Sequence, residues 1–423
     1  MSSILIQNAL IAGETTPVDL LIEDGIIVRK ALAGSIDTSS VDQVTDANDK
    51  IILPGLFDLH AHVCQPGYEA RERIATASAA ALHGGITGLM AMPDTNPVLD
   101  NAAQISTFNE LCRHDSIVEI IPTGCLTKGC MGEEQASYDS MRAKGVRIIT
   151  DGDKTPENML LLYRAMQYTS SLGMIFGLRG DVPSLTAKSL MHPSTTSYQL
   201  GLSGSPACAE EIGTETIIRL SQETGNALHV QTVSTGGSVD ILRRFKNESS
   251  GLSSEVALHH LIFTHENVGQ YDTNFKTLPP LRDTSDNEAL IAGVNDGTID
   301  CIVSDHTPCT PFSKKQDFLD APHGMTGLDT FLPAIYHYLV KPAKMTWETV
   351  VKSCSSNPRR LLGLQPISFE VGSVANFVVF DPKGESKVSN DFLRSRSKNT
   401  PFLGATLDGK VDVVCFAGQL HSF

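Results

Sequence analysis

The chain has 423 residues, enough to bury a large core and more than one simple domain needs. Hydrophobic residues make up 41% and charged residues 19%, as in an ordinary globular protein, and a net charge of −15 without a Lys/Arg block argues against nucleic acid and anionic membranes as partners. No apolar stretch reaches transmembrane length, and the opening Met1 to Asn8 lacks the basic region and cleavage site of a signal peptide, so a cytoplasmic location is expected.

In chain order, residues 1–50 read as short strands with turns, around Ile4 to Leu10, Leu20 to Ile22 and Gly25 to Val28. Strand-like and amphipathic segments then alternate. The strand candidates are Ile51 to His62, Ile86 to Met92, Ile117 to Pro122, Val146 to Thr150, Met174 to Leu178, Ala227 to Val233, Ser254 to Phe263 and Ile299 to Ser304. Helical periodicity marks Ile74 to Leu82, Glu157 to Leu172, Ala209 to Glu223 and Val239 to Lys246. Thr326 to Leu339 and Trp347 to Leu362 read as closing helices, and the strand texture returns at Val374 to Phe380 and Asp408 to Phe416.

Eight strand–helix units predict an α/β fold of the (β/α)8 TIM-barrel type over 51–365, with 1–50 and 366–423 pairing into one small β domain. An open doubly wound sheet would want a Gly-x-Gly-x-x-Gly turn after its first strand, and that turn is missing. The nine cysteines are odd in number and scattered. Cys125 and Cys130, the nearest pair, have no second pair to build a zinc knuckle, so all nine read as reduced, mostly buried thiols.

Barrel chemistry sits at the C-terminal ends of strands. Strand one ends in His60 and His62, which period-two geometry projects from one face. Strand four ends in Asp151 and strand eight in Asp305. A strand with two buried histidines, or an aspartate capping a helix, explains each alone. Together the four form a plausible site for one zinc or similar divalent ion.

The run from Pro54 through His62, with Gly84-Gly85-Ile86-Thr87 and Met92 to Pro97, resembles the opening of the dihydroorotase family of the amidohydrolase superfamily. The resemblance continues at Ser234 to Ser238, Leu258-His259-His260-Leu261, Asn274 to Arg282, Asp300 to Pro308, Pro322-His323-Gly324 and Gly327 to Thr330. It implies one metal on His60, His62, Asp151 and Asp305, with Asp305 as general base. Family members add a second metal through a histidine after strand five and another after strand six. Here those positions read Leu178 and Thr232, with Gly180 where the family has Glu, while His229 is kept. Leucine cannot coordinate a metal and threonine is a poor zinc ligand, so the second position is read as lost. Of the family's carboxylate clamp Asn96 remains, but Cys64 replaces an arginine and Cys309 a histidine. Leu278 replaces an asparagine that contacts the substrate ring. A thiol cannot give the bidentate grip of a guanidinium.

Two readings stay open. In the first the chain resembles dihydroorotase-like proteins that keep the barrel, lose site residues and serve as non-catalytic partners of aspartate transcarbamoylase, in a homo- or hetero-oligomer. In the second it is a one-metal cyclic amidohydrolase, either a dihydroorotase of weak residual activity or a hydrolase of a related cyclic amide or imide without the orotate carboxylate. A metal-acidified water would then attack and Asp305 would carry its proton to the leaving nitrogen.

Overall fold

The computed structural model describes residues 3–39, 41–248 and 251–423, so residues 1, 2 and 40 of the expected N-terminal unit lie outside the described residues. Five strands open the chain: β1 (Ser3–Ile11), β2 (Val18–Glu23), β3 (Ile26–Leu32), β4 (Gln43–Asp46) and β5 (Ile51–Pro54). Eight follow in the middle: β6 (Leu56–Ala61), β7 (Ile86–Ala91), β8 (Glu119–Pro122), β9 (Ile148–Ile149), β10 (Ile175–Arg179), β11 (Ala227–Gln231), β12 (Leu252–Ala257) and β13 (Cys301–Val303). Three close it: β14 (Phe377–Lys387), β15 (Thr406–Phe416) and β16 (Gln419–Ser422).

The eight middle strands are parallel in two runs, β6-β7-β8 and β9 to β13. Single bridges join the runs, Gly124 to Ile149 on one side and Ala61 to His306 on the other. The ring is therefore closed, and the fold is the expected α/β barrel. Every residue of β6, β7 and β12 is buried, as parallel strands covered on both faces must be. Helices fill the crossovers where the sequence supplies caps. The Asn101 side chain accepts from the amides of Ala103 and Gln104 to start Ala102–Asp115, and Gly173, at φ 64°, ends Met159–Leu172.

The two ends of the chain meet in one sheet, ordered β16-β15-β14-β5-β1-β2-β3 with β4 on β1. β14 pairs antiparallel with β5, Phe377 opposite Pro54, and the sheet packs on its own core around Ile6, Leu20, Ile52 and Phe377.

Two elements differ from the sequence reading. The segment Ile51 to His62 is not one strand but breaks at Gly55, with β5 in the terminal sheet and β6 in the barrel. A Cβ at Gly55 would stand 2.0 Å from Asn376 Oδ1 and 2.2 Å from Thr87 Oγ1, so only glycine lets the chain cross between the sheets there. The double histidine lies not on a strand but on a helical turn, Leu258–Ile262, that follows β12.

Candidate metal centre at the barrel mouth

β6 and the segment after β13 bring His60, His62 and Asp305 together, all buried, with their ligand atoms within 4.8 Å of one another. His60 Nε2 lies 3.8 Å from Asp305 Oδ1, and the two imidazole rings are 5.7 Å apart. Asp305 has φ 48°, a left-handed backbone that a non-glycine residue adopts at a cost of about 1–3 kcal/mol. Such strain turns its carboxylate towards the histidines.

A second carboxylate orients the first histidine. Glu255, fully buried on β12, sits 2.6 Å from His60 Nδ1 and 2.9 Å from His229 Nε2. His229 Nδ1 in turn meets Ser253 Oγ at 2.9 Å. This fixes His60 by Nδ1 and leaves Nε2 facing the group, the arrangement in which a carboxylate holds a metal-binding imidazole. Asp58 steadies the strand: it accepts from the Ser304 amide at 3.0 Å, the Ser304 hydroxyl and the His60 amide at 3.2 Å. His62 Nδ1 is 2.9 Å from Asp94 Oδ1 but too poorly aligned for a hydrogen bond.

The electrostatics follow from burial opposed by partners. Burial alone would lower His60, but the Glu255 and Asp305 carboxylates raise it to about 10. Against burial, His60 and His229 hold Glu255 down to about 2. Burial pushes Asp305 up to about 7, with His60 and His62 opposing. Burial likewise raises Asp58 to about 6, against its bonds from Ser304.

The fit of a divalent cation rests on unpartnered atoms. His60 Nε2, His62 Nε2 and the nearby His259 Nε2 are buried and have no hydrogen-bond partner, and His259 Nε2 lies 3.7 Å from Asp305 Oδ2. Buried polar atoms without partners are rare because they are costly. Imidazoles and a carboxylate facing one point suit zinc or a similar ion.

Asp151 does not join this group. Its carboxylate accepts from the Thr127 amide at 2.9 Å and the Thr127 hydroxyl at 2.5 Å, and it clusters instead with Cys125 and Cys130. Of the expected four residues, His60, His62 and Asp305 converge, whereas Asp151 is turned towards Thr127, Cys125 and Cys130 and stands apart from them. The strand-four acid whose charge acts on the site is Asp153, half-buried, which bears on His60, His62 and Asp305 alike.

The residues read as lost ligands lie close by. Thr232 is buried after β11 at φ 46°. Leu178 pairs with Val230 and belongs to the core between barrel and helices, whereas the neighbouring register Arg179–Gln231 belongs with His229 to the inner face. The inward side chain at the end of β10 is therefore Arg179, which sequence reasoning passed over. At Gly180 no side chain fits, since a Cβ would stand 2.1 Å from Thr214 Oγ1. Cys64, at φ 60°, and Cys309 are buried thiols that donate to backbone carbonyls, and burial raises both. Asn96 is exposed on the loop after β7, its amide bonded to Pro66 O at 2.9 Å. Leu278 lines a cavity of about 590 Å³ beside the site.

Glu255 could have been found from sequence as a carboxylate inside the strand run Ser253 to Ala257, since burying it demands partners. Asp153 carried only its place in the turn after strand four.

Two family models match the chain, Dihydro-orotase-like over 49–238 and Amidohydrolase family over 183–420. A dihydroorotase of Thermoanaerobacter sp. (strain X514) is 37% identical over 408 residues, covering 96% of this chain and 94% of its own. One of Pelotomaculum thermopropionicum is 39% identical over 399 residues, 94% and 92% of the two chains, and one of Mycobacterium leprae 36% over 424, 99% and 98%. Among solved structures, the L-hydantoinase (dihydropyrimidinase) of Arthrobacter aurescens superposes with a TM-score of 0.87 at 21% identity over 100% of this chain and 96% of its own, a likeness of fold. Sequence identity of this extent along nearly the whole chain, on a closed barrel with histidines and an aspartate converging at its mouth, places this protein in the dihydroorotase family of the amidohydrolase superfamily.

Proposed function

We propose that this dihydroorotase-like chain acts in pyrimidine biosynthesis as a non-catalytic partner of aspartate transcarbamoylase, and holds one divalent ion for structure. The observation that carries the reading is the β10–β11 wall. Leu178 packs into the core, Gly180 has no room for a side chain, and Thr127 takes the Asp151 carboxylate. With Cys64 and Cys309 at the family's clamp positions, the chemistry that turns over dihydroorotate is missing at several points at once. A retained barrel around such a pocket fits a scaffold whose contribution is an interface, which for stable assembly takes over about 1,000 Å².

A second reading, a one-metal hydrolase of a cyclic amide, is favoured by the unpartnered His60 Nε2 and His62 Nε2 beside Asp305. A divalent ion held by these three residues would supply Lewis acidity and an acidified water. The chain's own part is clear in outline. Glu255 keeps His60 oriented, and Asp305, buried beside the two histidines, is placed to take a proton and pass it on.

Metal analysis of the purified protein, a dihydroorotate assay with zinc supplied, and co-expression with the transcarbamoylase of the same host followed by size-exclusion chromatography test the pair. Co-elution without turnover is the expected result. Separate elution, with a transcarbamoylase stable and fully active alone, removes the scaffold reading. Turnover within tenfold of a typical enzyme's roughly 10 per second establishes the hydrolase instead.

A further inference from the structure

The two runs of barrel strands meet after β8, where the chain joins the two-residue β9 through the bridge from Gly124 to Ile149. Beyond that bridge, the segment 125–130 clasps the turn after β9. The Leu126 amide donates to Thr150 O at 3.2 Å, and the Thr127 amide and hydroxyl donate to the Asp151 carboxylate at 2.9 and 2.5 Å. The Gly132 amide in turn donates to Thr127 Oγ1 at 2.8 Å. This clasp begins and ends in a cysteine.

Cys125 and Cys130 are both buried, and their sulfurs are 2.8 Å apart. The turn Lys128–Cys130 brings them together. Cys130, at φ 53°, donates its amide to Thr127 O at 3.0 Å, and Lys154 Nζ donates to Cys130 O at 3.1 Å. Sulfur and carboxylate atoms converge here with Asp151. Geometry decides between a metal and a covalent bond. Two thiolates on a tetrahedral zinc, each at about 2.3 Å, stand roughly 3.8 Å apart, so a metal requires the sulfurs to separate by about 1 Å. A disulfide of about 2.05 Å requires them to close by only about 0.8 Å. The Asp151 oxygens, moreover, are already held by Thr127. A cavity of about 350 Å³ opens beside the group, lined by Asp151, Gly132 and the exposed Met131 that follows Cys130.

We propose that Cys125 and Cys130 form a reversible redox site, oxidised by hydrogen peroxide to a disulfide that locks the clasp across the barrel seam. The Cys130 sulfur attacks one peroxide oxygen. The O–O bond breaks, the thiol proton leaves with the other oxygen as water, and Cys130 becomes a sulfenic acid. The Cys125 sulfur then displaces the sulfenic oxygen, which departs with the Cys125 proton as a second water. The two sulfurs lose two electrons and the peroxide gains them. Cys130 takes the first step because its neighbour Met131 lines the cavity, whereas the bond to Cys130, and then burial, raise the Cys125 thiol. Burial of both sulfurs excludes bulky disulfide reagents and leaves a small peroxide as the fitting oxidant. The site does not depend on whether the barrel turns over a substrate or joins a transcarbamoylase.

Peroxide treatment of the full-length protein decides it, in a Cys208→Ser background that removes the exposed thiol. Hydrogen peroxide is expected to remove two alkylatable thiols and to leave the peptide 120–133, released by cleavage after glutamate, two mass units lighter. Dithiothreitol is expected to restore both. Oxidation of Met131 to its sulfoxide adds mass instead and is read separately. Hydrogen exchange at the amides of Leu126, Thr127 and Gly132 is expected to slow about three- to tenfold in the oxidised protein, with amides on the far side of the barrel unchanged. Cys125→Ser and Cys130→Ser are each expected to abolish the mass loss and the slowing. Should either variant fail to fold, the mass and exchange readouts on the Cys208→Ser chain decide alone. Two free thiols after peroxide, a sulfinic acid at Cys130 in place of the disulfide, or a disulfide that leaves exchange at 126–132 unchanged overturns the proposal.

Discussion

The two walls of the barrel mouth are equally buried but opposite in chemistry. On the β6–β13 wall, His60 and His62 hold nitrogens without partners towards the Asp305 carboxylate, and Glu255 braces the first ring. On the β10–β11 wall the inner face carries Gln231 and the Arg179 guanidinium, while Leu178 has joined the helix-side core. The first wall is made to receive a cation; the second carries one of its own. Backbone strain does not follow this division. Asp305 on the first wall and Thr232 on the second are both left-handed, at φ 48° and 46°. Left-handed backbone therefore does not distinguish the two walls, and what sets them apart is their side chains and packing.

The largest effect that breaks the comparison is on metal content. His60→Ala removes the ring that Glu255 braces and is expected to take the bound divalent ion from about one per chain to background, read by elemental analysis after gel filtration. Native protein that carries no ion after dialysis against zinc, or that carries two, contradicts the assignment of the two walls. Glu255→Gln is smaller. It leaves the ligands but loosens His60, and is expected to weaken metal affinity about 10–100-fold. Unchanged affinity in a competition titration would reduce Glu255 to a core ion pair.

Leu178→His sharpens the contrast from the other side. If position 178 faced the site, an imidazole there would recreate a ligand. The register with Val230 places it in the helix-side core instead. The substitution is expected to leave metal stoichiometry unchanged and to cost about 1–3 kcal/mol in stability, from burying an imidazole without partners. A rise to two ions per chain would place this side chain on the inner face.

Much of this was legible in the sequence for reasons that can be named. The barrel could be read because period-two runs and helical periodicity alternate, and His60, His62 and Asp305 because strand ends are where barrels keep their chemistry. The choice between Asp151 and Asp153 could not be read. It is made by Thr127, 24 residues away in the chain, whose amide and hydroxyl take the Asp151 carboxylate. Arg179 went unseen because an arginine matched no expected ligand, and only the register with Gln231 reveals its inner face. The break at Gly55 had a sequence signal, the Pro54-Gly55 pair inside the apolar run from Ile51 to His62, which the single-strand reading passed over. What divides it is the approach of Thr87 and Asn376, contacts set by the folded chain.

The smallest expected effect concerns the second wall's own charges. His192 is half-buried beside Arg282 and His265, with Asp283 3.9 Å away and no bonded partner for Nδ1. Burial first, then the cations Arg282 and His265, lower it from 6.5 to about 4, with Asp283 opposing. Between those values the unfolded chain binds a proton that the folded chain refuses. Stability therefore falls as pH drops through this window and levels off below about 4, the reverse of a histidine that gains an anionic partner on folding. For one group the loss is on the order of 2 kcal/mol. His192→Gln removes the titrating ring, so its unfolding free energy, measured by denaturant titration at pH 7 and pH 4, is expected to fall less than that of the native protein. Parallel losses in the two proteins would mean that His192 charges as readily folded as unfolded, and that Arg282 is not the dominant charge on that side of the mouth.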